Sequence, residues 1–158
     1  WYHTGDIGEL DSEGYLSITG RKKDLIVTAG GKNVSPSQLE DVLSADPLIS
    51  QAVVVGDNRS YIAALVTIDQ ETFPGWRDKH GKTGEVSDLL RDGDLVGAVQ
   101  DAVDRANKTV SRAESIRKFT ILADEFSVEG GELTPTLKLK RNVVHERFAE
   151  DIENLYAK

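Results

Sequence analysis

The sequence predicts an α+β fold, an N-terminal β-hairpin followed by a small, mostly antiparallel sheet flanked by helices. Three observations predict it. Short apolar runs flank two polar turns, Asp11-Ser12-Glu13-Gly14 and Asp57-Asn58-Arg59-Ser60, which is a hairpin signal at each place. Apolar residues recur at helical spacing in two later stretches. The order that results (hairpin, strand, helix, strand, strand, helix, strand, helix) puts helices on a sheet whose consecutive strands can pair as neighbours.

Taken in order, residues 7–19 (IGELDSEGYLSIT) form the first hairpin. Leu25-Ile26-Val27 reads as a strand, ended by Ala29-Gly30-Gly31. Ser35-Pro36 starts a helix, with Ser as N-cap and Pro at the first helical position, and Leu39, Val42 and Leu43 give it an apolar face up to about Ala45. Gln51–Val55 and Tyr61–Ile68 read as a second hairpin. Residues 70–94 are polar and glycine-containing, and predict a short helix within a variable insertion. Leu95, Val99, Val103, Ala106 and Val110 mark a long amphipathic helix. Ile116–Phe126 reads as a further strand, and Val144, Phe148, Ile152 and Leu155 mark a C-terminal helix.

The chain has 158 residues and 17.3 kDa, the size of one domain able to bury a real core. A formal net charge of -8 and a pI near 4.9 argue against a nucleic-acid-binding role, because phosphate backbones require a basic face. With no cysteine, disulfides and thiolate-ligated zinc are excluded, and a reducing, cytoplasmic setting is expected. No apolar run approaches the roughly 18–20 residues of a membrane span, and no secretory signal opens the sequence. His3, His80 and His145 lack metal-ligand spacing, so neither a zinc site nor a Ser-His-Asp triad is expected. Beginning at Trp1 and containing no methionine, the sequence reads as a fragment of a longer protein.

Four stretches carry unusual chemistry. In Tyr2-His3-Thr4-Gly5-Asp6, the carboxylate after a glycine is either a turn residue or an acceptor for a sugar diol. Gly20-Arg21-Lys22-Lys23-Asp24 sets three consecutive cations between strands, suited to a phosphate or ribose, or to a solvated connection between moving parts. Thr28-Ala29-Gly30-Gly31-Lys32-Asn33 allows close backbone approach beside a cation, or is simply a strand-to-helix turn; it is not a G-x-x-x-x-G-K-[ST] phosphate loop. In Gly130-Gly131-Glu132-Leu133-Thr134-Pro135-Thr136-Leu137-Lys138-Leu139-Lys140-Arg141, Pro135 keeps Thr134 out of the helical region. If extended, this segment points Lys138 away from Leu137 and Leu139. Lys138 is then either surface charge or a point cation for a forming anion.

In combination, Y-x-T-G-D, G-R-x-K-D before a strand, G-G-K-N-V-S-P and T-P-T-x-K-L-K-R resemble the adenylate-forming superfamily. Within it, GGKNVSP, TPTLKLKR and the IENLYA ending are similar to the C-terminal region of AMP-forming long-chain fatty-acid–CoA ligases. The resemblance covers essentially the whole chain. It implies that residues 1–20 close the N-terminal region and lead to a hinge, and that 21–158 form a mobile C-terminal domain. It further implies that Asp6 binds the ribose hydroxyls of ATP and of the acyl-adenylate, that Arg21 contacts the nucleotide, and that Lys23 is the hinge. Gly30, Gly31 and Lys32 would form the loop that lines the pantetheine path during thioesterification, and Glu40 would be structural. Lys138 would bridge the substrate carboxylate and the ATP α-phosphate, Leu137 standing where the family form has glycine. Implied co-substrates are ATP with Mg2+, coenzyme A and a fatty acid; the implied partner is a large N-terminal adenylation domain of the same chain. A fatty substrate is compatible with peripheral membrane association, although no segment encodes it. The alternatives are a fatty-acyl-AMP ligase, a shorter-chain acid–CoA ligase, or a non-catalytic module whose basic stretches dock an acidic partner.

Overall fold

The computed structural model describes residues 25–157 in full, and 6–10 and 16–21 as backbone. The turn of the first hairpin, Lys23 and the residues before Asp6 lie outside the described residues.

The predicted first hairpin is present. β1 (Asp6–Leu10) pairs antiparallel with β2 (Leu16–Arg21), and an irregularity falls between Ile7 and Gly8. The predicted strand after it is short: β3 (Ile26–Val27) pairs with β4 (Asn33–Val34) across the glycine loop, a partner the sequence reading did not include. Helix α1 (Pro36–Ser44) starts where the Ser-Pro pair predicts, with Ser35 extended at φ −86°, ψ 106°. The Ser35 hydroxyl lies 3.2 Å from that of Ser37 and makes no cap to the helix backbone.

The body of the domain is a sheet in the order β5-β6-β7, formed by Ile49–Val55, Ile62–Ile68 and Ile116–Leu122. β5 and β6 are the predicted antiparallel hairpin, whereas β6 and β7 run parallel. Between β6 and β7 the chain crosses over through α2 (Phe73–Lys79) and α3 (Gly93–Asn107), long enough to return β7 to the same end as β6. Every residue of β6 is buried, as expected for a central strand covered on both faces.

Alternation along the strands divides the core. Ala52, Val54, Ile62, Ala64 and Val66 face α1 and α3, meeting Leu39, Leu43, Leu95, Val99 and Val103. Val53, Val55, Ala63 and Leu65 face the other way, onto Val144, Ile152 and Leu155. The last three lie on α4 (Arg141–Arg147) and α5 (Ala149–Tyr156), into which the predicted C-terminal helix is divided. Phe148, at φ −108° and ψ 25°, makes the break, and its ring packs 5.7 Å from that of Phe126. The result is three layers, helices on both faces of one small sheet.

Candidate functional site

Two exposed loops carry Gly30, Gly31, Lys32 and Lys138, and both are tight hairpin turns. In the first, the amide of Gly31 donates to the carbonyl of Thr28 (2.9 Å), and the amide of Thr28 donates to the carbonyl of Lys32 (3.0 Å). The Lys32 amide donates to the Thr28 hydroxyl oxygen at 3.1 Å. Gly31 closes the turn at φ +85°, a left-handed conformation that favours glycine. Gly30, Gly31 and Lys32 are all exposed. The turn between β5 and β6 braces this loop: Ala29 donates to the Arg59 carbonyl (2.8 Å) and Asn58 to that of Val27 (2.8 Å). The Val27 amide donates to Asp57 Oδ1 at 3.2 Å. The ammonium of Lys32 lies 3.7 Å from Glu114.

The second loop repeats the first. Leu137 donates to the Thr134 carbonyl (2.8 Å), and Thr134 donates to the Lys138 carbonyl (2.8 Å). The Lys138 amide donates to the Thr134 hydroxyl oxygen at 3.0 Å. Leu137 occupies the left-handed position at φ +64°. That corrects the expectation of an extended segment. Because the chain turns at Leu137, this side chain is 65% exposed while Leu139 is half-buried, so the two leucines do not share a face. Lys138 is exposed, and among the described residues its ammonium pairs with no carboxylate.

The feet of this hairpin are pinned. Leu133 and Leu139 form an antiparallel bridge, and the Lys140 amide donates to the Glu132 carbonyl at 2.7 Å. Buried Glu132 accepts from Arg147 Nη1 at 2.9 Å, and the same nitrogen donates to the Gly130 carbonyl at 2.8 Å. Three residues after Lys138, the Arg141 guanidinium grips Glu40 of α1 with both its terminal nitrogens, Nη1 to Oε2 at 2.7 Å. Glu40, only 8% exposed, also accepts the Val54 amide of β5 at 2.8 Å. Arg141 is thereby an anchor between the start of α4 and α1. His145, one turn along α4, is held below its ordinary range by partial burial and by the Arg141 charge, opposed by Asp57 and Glu40.

Asp6 and Arg21 lie opposite each other in the β1–β2 register, so the backbone brings together the two residues expected at the nucleotide. The hinge expectation at Lys23 lies outside the described residues. The sequence reading missed Thr28 and Thr134. Their signal was the repeated pattern Thr-x-x-x-Lys, present in both quoted stretches.

The sequence profile of the AMP-binding enzyme C-terminal domain family matches residues 23–158. The long-chain-fatty-acid–CoA ligase FadD15 of Mycobacterium tuberculosis is 58% identical over all of this chain, which spans 27% of that protein's length. The adenylation domain of a carboxylate reductase from Mycobacterium chelonae superposes with a TM-score of 0.77 at 30% identity, over 99% of this chain and 23% of that one. The adenylation and carrier didomain of a carboxylic acid reductase from Segniliparus rugosus, solved in complex with AMP, superposes at 0.75 with 29% identity, over 98% of this chain and 20% of that one. On the family match, which takes in both lysine hairpins, the chain belongs to the AMP-binding enzyme C-terminal domain family, in the adenylate-forming superfamily.

Proposed function

We propose that this chain is the mobile C-terminal domain of an AMP-forming long-chain fatty-acid–CoA ligase, cytoplasmic or peripheral to a membrane. The observation that carries the reading is Lys138, exposed on a pinned hairpin and unmatched by any carboxylate among the described residues of an acidic chain. In the first half-reaction, a fatty carboxylate oxygen attacks the α-phosphorus of ATP, the bond to the bridging oxygen breaks, and pyrophosphate leaves. Two anions must approach, and a lysine between them lowers the barrier electrostatically. In the second half-reaction, the thiol sulfur of coenzyme A attacks the acyl carbon. The bond to AMP breaks, AMP leaves with the electron pair, and the thiol proton goes to solvent. The Gly30-Gly31-Lys32 hairpin serves that step, exchanged for Lys138 by a rotation of residues 21–158 about Lys23. Asp6 and Arg21 hold the nucleotide.

Among the described residues, no group of three or more histidine or acidic side chains could hold a metal ion. The remaining groups belong to a large N-terminal domain of the same chain, in keeping with the quarter of the FadD15 length that this chain spans. The experiment compares the full-length protein with the 158-residue chain in the presence of fatty acid, ATP and coenzyme A. The full-length protein is expected to form acyl-CoA, AMP and pyrophosphate, and the fragment none. Acyl-adenylate accumulating with no transfer to the thiol would mark a fatty-acyl-AMP ligase instead. Acyl-CoA formed by the fragment would overturn the reading.

A further inference from the structure

The two loops share a bonding pattern and, in sequence, only the threonine and the lysine four residues on. One reads Thr-Ala-Gly-Gly-Lys and the other Thr-Pro-Thr-Leu-Lys. They lie in different parts of the fold, before α1 and before α4. In each, the threonine amide bonds to the lysine carbonyl and the residue before the lysine is left-handed. In each, the threonine hydroxyl oxygen also accepts the lysine amide, at 3.1 Å for Thr28 and 3.0 Å for Thr134. The backbone amide and the backbone carbonyl of each lysine are thereby both bonded to one threonine.

A lysine side chain has four soft torsions, so where its ammonium can reach depends first on how its Cα–Cβ bond is aimed. The threonine hydroxyl fixes the peptide plane that enters the lysine, and with it that aim. Thr28 is nearly buried while Lys32 is exposed. The rigid member of that turn is inside and the presented member outside. At the second loop, the Thr134 hydroxyl also lies 3.0 Å from that of Thr136, which holds its rotamer.

We propose that Thr28 and Thr134 are positioning residues, each aiming one lysine, and that they serve different half-reactions: Thr134 aims Lys138 for adenylate formation and Thr28 aims Lys32 for transfer to the thiol. The inference rests on the ligase reading above. Neither threonine need touch a substrate. Both act through the lysine four residues on.

The test uses the full-length protein and measures the half-reactions separately: ATP–pyrophosphate exchange driven by fatty acid, and transfer from supplied acyl-adenylate to coenzyme A. Thr134→Val is expected to lower kcat for exchange about tenfold, with KM for ATP within about twofold and transfer unchanged. Thr28→Val is expected to do the reverse. Thr134→Ser and Thr28→Ser keep the acceptor oxygen and restore the affected step. Two valine variants that leave both half-reactions at the wild-type rate would overturn the inference. So would variants that depress both steps equally with a lowered Tm, since that marks a purely structural threonine. A wild-type protein active in neither half-reaction would overturn the ligase reading and this inference with it. Wild-type activity with no valine effect would sink the inference alone.

Discussion

Leu137 is the residue at which chain chemistry and local geometry disagree most. A left-handed conformation costs a residue with a Cβ about 1–2 kcal/mol relative to glycine, and Leu137 meets it at φ +64° with 65% of its surface exposed. The hairpin holds it there through the Thr134 bonds and the pinned feet. Leu137→Gly is therefore expected to stabilise the chain by roughly 0.5–1 kcal/mol, the relief of strain being partly offset by the greater freedom of glycine in the unfolded chain. Urea denaturation of the two proteins checks it, and a destabilised glycine variant would mean that the apolar side chain matters more than its backbone. This residue also shows why part of the site was hidden in the sequence. Gly31 announces a left-handed turn by its type, whereas at Leu137, the equivalent place in the second loop, the only hint is that the family form has glycine there. The likeness of the two hairpins consequently escaped a reading based on glycine and proline signals.

At the scale of elements, the pair formed by Glu40 and Arg141 joins three of them. It links α1, which follows the Lys32 hairpin, to the start of α4, which follows the Lys138 hairpin, and through the Val54 amide to β5. Removing one partner of a buried ion pair leaves the other desolvated and unmatched, a loss of about 3–5 kcal/mol. Glu40→Ala is expected to destabilise the domain by that order, read from the urea midpoint at unchanged slope. A loss below about 1 kcal/mol would show that solvent reaches Arg141 and that the two hairpins are not tied. The sequence reading placed Glu40 in its helix with a structural part, but its partner lies far along the chain and no periodicity links them. The elements themselves were largely legible. Ser35-Pro36 marked the start of α1, and Asp57–Ser60 marked the β5–β6 turn, because caps and turns are decided by adjacent residues. The β6–β7 pairing was not legible as parallel, since strand direction depends on how the long α2–α3 crossover returns. The break at Phe148 was also silent, because Val144, Phe148 and Ile152 keep helical spacing across it.

At the scale of the whole molecule, one sheet covered on both faces carries two lysine hairpins that differ in sequence and agree in bonding. On the proposed function, the two presenters serve a reaction in two steps, each needing a different loop at one active centre, with a rotation between them. Superposition of the chain on adenylation domains of carboxylate reductases places it in the adenylate-forming architecture. The account stands or falls on the division of labour. In the full-length protein, Lys138→Ala should lower adenylate formation by about 10²–10³ while leaving transfer from supplied acyl-adenylate to coenzyme A within about threefold of the wild type. Equal loss of both half-reactions, or an unchanged rate of adenylate formation, would contradict it.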